Sequence, residues 1–263
     1  MTATLVRPSL AELAAPLPTR AVGILGGMGP AAGADFVALF VQSCAELMQQ
    51  KGQPVSDQGF PEHWLTQLPV PDRTQALRAE GEHRNAPLEV MASALARLES
   101  VGVHAVAMAC NTAHAWHAAL QARFPCTELL HAPREVAAWL QARGVREVGL
   151  LATQGTYRSG LYEPALAQAG ITCHLPREDE RETLMRGIYE GVKTGDMACA
   201  QSCFVEVSER LMRRHGDIAL IMGCTEIPLG LAAAPQTASW MLVNPAQVLA
   251  QALAVRAYAG ECL

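Results

Sequence analysis

The feature that most constrains the fold is a regular alternation of short apolar runs with helical stretches. The apolar runs, which are typical of buried strands, lie at 21–25, 105–108, 128–130, 147–151 and 218–222. Helices are expected at 31–50, 112–123, 133–143 and 244–258. Because strands that alternate with helices of roughly 10–15 residues form βαβ units, we expect an α/β protein with mainly parallel sheets.

One long stretch, at 52–86, interrupts this alternation. Glycine and proline recur through it, and a loop of this length in a compact domain is often functional. The polar, cationic segment 72–74 lies inside it. The helical pattern resumes at Pro87, where apolar residues spaced by three and four, from Leu88 to Leu98, predict a helix that begins at that proline.

A weak internal repeat indicates two halves of similar plan. The segment 22–27 resembles 148–153, and 107–112 resembles 221–225, so that each half carries one cysteine just beyond a strand. We therefore expect two pseudo-symmetric domains, each a mainly parallel sheet flanked by helices, with the active site in the cleft between them. The expected division is an N-terminal arm at 1–20, a first α/β domain at 21–131 plus 237–263, and a second at 132–236.

Composition limits the classes of function. Half of the 263 residues are hydrophobic, which excludes a disordered chain, and the net charge of −5 argues against general nucleic-acid binding. No run approaches the roughly 18 apolar residues of a membrane span, and no secretory signal is expected. The eight cysteines have no repeated metal-type spacing, so free thiols in a reducing cytosol, and hence a cytoplasmic location, are expected.

The first 20 residues form an arm rich in proline and alanine. Ser9 and Glu12 fit a capping box, which predicts a short helix there. The sequence indicates no function for this arm.

Cys110 and Cys224 are the strongest candidates for chemistry. Each follows an apolar strand and precedes threonine or asparagine–threonine and then a helix. Ligands bind beyond the carboxyl ends of parallel strands, and a helix start there lowers the pKa of a thiol and attracts an anion. A lone cysteine is more often an ordinary buried residue, but the paired context favours a catalytic pair.

Several strings carry a family resemblance when they are taken together and in order. They are ILGGMGP at 24–30, PDRT at 71–74, ACNTAH at 109–114, RGIYEGVK at 186–193 and GCTE at 223–226. From about Val22 to its C-terminus the chain resembles the aspartate/glutamate racemase superfamily, most of all its aspartate racemase branch. In the glutamate racemase branch a histidine tends to stand at the position of Glu226, so this glutamate favours the aspartate branch.

The resemblance implies an isomerase that uses neither a cofactor nor a metal. Of Cys110 and Cys224, one removes the α-proton from one face of the substrate, and the other returns a proton from the opposite face. Inverting a carbon through a planar carbanion needs such an acid and base on opposite sides, together with electrostatic stabilisation of the developing charge. Homodimerisation is expected from the family.

The resemblance also implies which groups hold the substrate near the thiols. Asn111, Thr112 and Thr225 would bind its α-carboxylate, although a threonine at a helix start also serves as an ordinary cap. The glycine turn at 26–29 would bring backbone close to the substrate, with Met28 lining the pocket and Gly29 beside it. Its glycine spacing, G-x-G-x-x-x-G, does not fit a dinucleotide-binding loop.

Two cations match the family positions that hold the side-chain carboxylate of the substrate. Arg73 offers a planar fork for bidentate binding, and Lys193 adds a point charge. Without the resemblance, Lys193 would be interpreted as a solvated cation at a helix end. Together they favour a dicarboxylic amino acid as the substrate.

Weaker candidates are two pairs with helical spacing. Cys199 and Cys203 could form a redox pair or half a metal site, but two core-facing cysteines are the simpler interpretation. His114 and His117 follow Cys110 without the His-Glu-x-x-His string of zinc enzymes, so no metal site is predicted.

The leading hypothesis is an aspartate racemase, with glutamate as a further candidate substrate. Maleate isomerase, another two-thiol member of the superfamily, stays open as an alternative. A decarboxylase of the superfamily needs one cysteine, so the pair argues against it. A non-catalytic binder of small ligands is the alternative from a different class, because fold does not fix function.

Overall fold

The computed structural model describes residues 17–232 and 234–259, so the predicted helix at Ser9–Glu12 lies outside the described residues. The strands are β1 (Val22–Gly26), β2 (His63–Gln67), β3 (Ala105–Met108), β4 (Glu128–Leu129), β5 (Glu147–Ala152), β6 (Thr172–His174), β7 (Ala219–Gly223) and β8 (Leu242–Val243). The α-helices are α1 (Pro30–Gln50), α2 (Arg73–Ala76), α3 (Gly81–Ser100), α4 (His117–Arg123), α5 (Ala132–Gln141), α6 (Gln154–Ser159), α7 (Glu163–Gln168), α8 (Glu178–Arg186), α9 (Met197–His215), α10 (Ile227–Leu231) and α11 (Pro245–Ala257).

The strands form two four-stranded sheets with the same topology. Their orders are β2-β1-β3-β4 and β6-β5-β7-β8, and every pairing between the described strands is parallel. Val22 of β1 lies opposite Ala105 of β3, and Val148 of β5 lies opposite Ala219 of β7. All residues of β1, β3 and β7 are buried, as expected for parallel strands covered by helices on both faces. The prediction of two α/β domains of similar plan is confirmed.

The stretch at 52–86 is rich in glycine and proline, but it contains regular secondary structure. It holds β2, the single turn α2 and the first residues of α3. β2 lies at the edge of its sheet, and most of its side chains are exposed, so it has no continuous apolar run to mark it as a strand. The predicted start of α3 at Pro87 is wrong, because the exposed, mostly polar residues 81–85 extend the helix beyond its buried face and Pro87 lies inside it.

The chain crosses between the two halves again near its end. Residues 237–243, grouped by the sequence analysis with the first domain, contain β8, which pairs with β7 in the second sheet. α11 then returns to the first half, where Leu249 and Leu253 pack in the same core as Phe36 and Phe40 of α1. The core of the second half is separate and lies around β5, β7 and α9.

α1 has the length and mean hydropathy that would allow it to cross a membrane, the one helix with this property among the described residues. This differs from the expectation that no segment spans a membrane. In the structure, Phe36, Phe40, Cys44 and Met48 of this helix are buried in the first core. Core helices and membrane spans share these two properties, so length and hydropathy do not distinguish them.

Candidate active site

Cys110 and Cys224 line the same cavity, which lies where the two halves meet. Cys110 follows β3 and Cys224 follows β7, so both lie at the carboxyl ends of central strands, one in each sheet. The cavity has a volume of about 470 Å³, including its part open to solvent. Of the residues predicted for the site, those that line it are Met28, Arg73, Cys110, Asn111, Thr112, Lys193, Cys224 and Thr225.

Cys224 donates a hydrogen bond to a carboxylate. Its Sγ lies 2.9 Å from Oε2 of Glu226, which also accepts from Oγ1 of Thr225 at 3.0 Å. Cys224 is only 8% exposed. Burial, then the negative charge of Glu226 and, to a smaller extent, that of Cys110 raise the pKa of the Cys224 thiol well above its ordinary value. Cys224 is therefore a protonated thiol at neutral pH.

Asn111 is oriented by a hydrogen bond from a buried tyrosine. The hydroxyl of Tyr162, in the second half, donates to Oδ1 of Asn111 in the first half, and Tyr162 is fully buried. Because Oδ1 is engaged, the NH₂ group of Asn111 is the part of the amide that can donate to a ligand in the cavity. No sequence motif indicates that Tyr162 supports this site.

Thr112 takes part in a cluster of hydroxyl groups between the two halves. Its Oγ1 lies 3.3 Å from Oγ1 of Thr153 and 3.3 Å from that of Thr156, and these two are 3.2 Å apart. Thr153 caps α6, since its side chain accepts from the Thr156 backbone amide. Thr153 also lines the cavity, although it is not among the residues predicted for the site. The internal repeat, in which Thr153 occupies the place of Gly27, was the available signal.

Arg73 is fixed by backbone carbonyl groups. Its Nη2 donates to the Met28 carbonyl oxygen at 2.7 Å, and its Nη1 lies 3.2 Å from those of Val70 and Pro71. Its Nε is buried without a hydrogen-bond partner in the described part of the chain. The neighbouring Asp72 is not its partner, because the Asp72 carboxylate caps α2 through the Gln75 amide at 2.8 Å. The guanidinium group thus places a rigid positive charge in the cavity wall.

Lys193 also lines the cavity and is exposed. Its Nζ lies 4.1 Å from the centroid of the Tyr189 ring, a cation–π contact that limits where the ammonium group points. Both residues belong to two irregular helical turns, Gly187–Gly191 and Val192–Thr194, that follow α8. The π-helical form of the first turn is frequently found at functional sites.

The glycine turn after β1 contributes Met28 but not Gly29 to the cavity wall, so the prediction for Gly29 differs from the lining observed. Gly29 is the N-cap of α1, with extended backbone. The position that requires glycine is Gly27, where φ is +83° and a Cβ atom would lie 2.0 Å from the Leu68 carbonyl oxygen. The turn therefore packs against the backbone that follows β2.

A second, largely apolar cavity of about 460 Å³ adjoins this site. It shares Cys110, Asn111 and Thr225 with the first cavity, and Phe36 and Leu229 are among its apolar residues. Cys110 therefore lies between a polar space that contains Arg73 and Lys193 and an apolar space.

The weaker candidates from the sequence lie elsewhere. Cys203 is buried in the second core, where it accepts from Nε of Arg186 at 3.5 Å, and Cys199 packs at the edge of the same core. His114 and His117 pack against His131, with ring centroids 5.3 and 4.6 Å from that of His131. Within residues 17–232 and 234–259, no group of three or more His, Cys, Asp and Glu side chains is arranged to hold a metal ion.

Comparisons with known proteins identify relatives that match most of the chain. The solved structure of Picrophilus torridus aspartate racemase matches with a TM-score of 0.71 and 28% identity, covering 90% of this chain and 94% of that one. The broad specificity amino-acid racemase RacX of Bacillus subtilis (strain 168) is 24% identical over 211 residues, 78% of this chain and 85% of RacX.

A shorter match is to an uncharacterized protein of Pectobacterium carotovorum subsp. carotovorum. It is 39% identical over 82 residues, which are 31% of this chain and about half, 53%, of that protein. The family model described as Asp/Glu/Hydantoin racemase matches residues 25–253. The family expected from the sequence motifs is confirmed, and the chain belongs to the Asp/Glu/hydantoin racemase family.

Proposed function

We propose that the chain interconverts L- and D-aspartate by moving a proton between Cα and two cysteine thiols. The observation that carries this proposal is the pair Cys110 and Cys224, supplied by two different sheets to one cavity. Two acid–base groups on separate domains can approach one carbon from opposite faces. Inversion of the configuration at Cα requires this arrangement.

The protonation state of Cys224 supports a direction for the first step. Cys224, buried beside Glu226, holds its proton and acts as the acid, while the thiolate of Cys110 is the base. The Cα–H bond breaks as an S–H bond forms on Cys110. The S–H bond of Cys224 then breaks as a new Cα–H bond forms on the other face. The negative charge ends on Cys224 next to Glu226, where repulsion favours recovery of a proton.

The polar groups in the wall support a dicarboxylic substrate. The NH₂ group of Asn111 is suited to the α-carboxylate, where charge develops as the carbanion forms, and Thr225, whose hydroxyl donates to Glu226, lines the cavity beside it. Arg73 and Lys193 place two positive charges in the same cavity for a second carboxylate. Thr112, whose hydroxyl contacts Thr153 and Thr156, contributes mainly to the domain contact.

The adjoining apolar cavity favours a second candidate function, a racemase with a broader substrate range. Because it shares Cys110 and Thr225 with the polar cavity, an apolar side chain could be accommodated on that side while the α-carboxylate keeps its contacts. In this case leucine or methionine would be racemised at rates comparable with aspartate.

The test is incubation of a panel of L-amino acids, and of maleate, with the enzyme in D₂O without pyridoxal phosphate. Chiral chromatography follows inversion, and ¹H NMR follows deuterium at Cα. We expect D-aspartate carrying α-deuterium, and losses of at least about 100-fold in C110S and C224S. Full racemisation by either variant contradicts the two-thiol mechanism. Turnover of maleate alone identifies a maleate isomerase, and binding without deuterium incorporation identifies a binder.

A further inference from the structure

A separate cavity lies between the two halves of the chain. Its volume is about 1120 Å³, including the space open to solvent, compared with about 470 Å³ for the cavity that contains the thiols. The first half contributes Arg84, His114 and His131 to its wall, and Arg134 of α5 and Arg158 of α6 complete the charged lining. None of the residues assigned to the active site lines it.

The wall of this cavity carries an excess of positive charge. Its lining includes Arg84, Arg134 and Arg158 and no aspartate or glutamate. Other arginines of the chain pair with carboxylates, but no carboxylate of the described residues lies within 4.0 Å of these three. The contact that Arg84 makes is a long one, 3.4 Å from its Nη1 to the Leu77 carbonyl oxygen. Unpaired guanidinium groups that converge on one cavity are suited to bind an anion.

Two histidines, the buried His114 and the half-buried His131, line the same cavity with unpartnered polar atoms. His114 is 2% exposed, and neither ring nitrogen has a hydrogen-bond partner in the described part of the chain. The carbonyl of Met108 is near its ring but does not meet hydrogen-bond geometry. Nδ1 of His131 is also buried and unpartnered. His117 does not line the cavity. Its Nε2 has a hydrogen-bond partner, the Leu129 carbonyl oxygen, at 2.6 Å.

Buried nitrogens without partners destabilise the protein unless a ligand or water satisfies them. Burial, and then the neighbouring histidines, lower the pKa of His114, and burial lowers that of His131 to about 4. Both rings are therefore neutral at neutral pH, and each has one N–H group to donate. The cavity thus offers neutral N–H donors from two histidines and positive charges from three arginines. Both kinds of group can donate hydrogen bonds to the oxygen atoms of an anion.

We propose that this cavity binds a small polyanion, a molecule with phosphate or several carboxylate groups, through Arg84, Arg134 and Arg158 and the ring N–H groups of His114 and His131. The site goes beyond the proposed racemase activity, because it shares no residue with the cavity of Cys110 and Cys224. A binding test is therefore independent of any catalytic result.

The experiment is isothermal titration calorimetry of the intact protein with inorganic pyrophosphate and, separately, with citrate, at low ionic strength and pH 7.5. Arg134 and Arg158 have exposed side chains, so the double variant R134Q/R158Q should keep the fold. The matched control is R97Q, which removes the same kind of charge from the exposed surface of α3. We expect at least a tenfold weaker affinity in the double variant and less than a twofold change in the control.

The two probes distinguish phosphate from carboxylate recognition, and binding of either one through these arginines supports the site. Three results would overturn it. The first is no binding of either probe at millimolar concentration. The second is equal weakening in R97Q and R134Q/R158Q, which indicates a general charge effect. The third is binding abolished by R73Q but unaffected by R134Q/R158Q, which places the anion in the cavity of the thiols.

Discussion

The Sγ atom of Cys224 and the Oε2 atom of Glu226 are 2.9 Å apart, two residues from each other at the end of β7. The carboxylate stabilises the thiol as a hydrogen-bond donor and destabilises the thiolate by charge repulsion, so burial and Glu226 act in the same direction on the pKa. Cys224 is consequently held in its protonated form at rest. Cys110 is half-buried and follows the other sheet.

Replacing Glu226 with glutamine should lower the pKa of the Cys224 thiol, because it removes the charge that opposes ionisation. In a C110S background, we expect E226Q to raise the rate of Cys224 alkylation by iodoacetamide several-fold between pH 7 and 9, normalised to C110S/C224S. The control E82Q removes an exposed carboxylate at the start of α3 and should leave the rate unchanged. An unchanged pH–rate profile in E226Q would show that burial alone sets the pKa.

Replacing Arg73 with glutamine should raise KM for aspartate at least tenfold, because the cavity loses a fixed cation. R73K should not restore the affinity, since lysine cannot reproduce the fork held by the carbonyl groups of Met28, Val70 and Pro71. Steady-state kinetics with R78Q, an exposed arginine nearby, as control will test this. Equal KM values for R73Q and R78Q would exclude Arg73 from substrate binding.

Substituting Gly27 with alanine should destabilise the fold by about 3 kcal/mol or more, because a left-handed residue would be strained and its Cβ would overlap the Leu68 carbonyl group. The control G29A introduces the same methyl group where φ is −168° and no atom lies within 4 Å, and should cost less than about 1 kcal/mol. Urea unfolding followed by circular dichroism measures both. Similar midpoints for the two variants would show that the turn can shift.

The stability of the protein should fall as pH decreases below about 6.5. His114, His117 and His131 are neutral in the folded state, because burial lowers the pKa of all three. Neighbouring histidines lower it further in His114 and His131, and Arg134 does so in His117 and His131. The unfolded chain binds protons at these residues near pH 6.5, while folded His131 does so only near its pKa of about 4. The unfolded state therefore binds more protons in this window, and the free energy of unfolding rises with pH.

Urea unfolding at pH 5.0, 6.0 and 7.5 tests this linkage. The variant H131N should flatten the dependence between pH 5 and 6.5 relative to wild type. The control H83Q removes an exposed histidine at the start of α3 and should keep the slope of the wild type. The same slope in H131N and wild type would assign the pH dependence to other groups.

Much of the architecture could be predicted because it is encoded locally. Parallel strands such as β1, β3 and β7 are buried on both faces, so they show as continuous apolar runs. The motifs around Cys110 and Cys224 follow such runs, which fixed their place at strand ends. β2 could not be predicted in this way, because it is an edge strand. Its Trp64 and Leu65 are exposed, so it shows no continuous run of buried apolar residues.

The sequence by itself determined the two-sheet plan, the family and the residues expected around the thiols, because periodicity and contiguous motifs report local structure. Only the tertiary structure decided that Tyr162 supports Asn111 and that Thr153 and Thr156 contact Thr112. It also decided that three unpaired arginines and two histidines line the separate cavity between the halves. These contacts join residues that are far apart in the chain and that belong to different halves of the protein. Local patterns record whether a residue is buried, but the packing of the two sheets determines which residue lies against it.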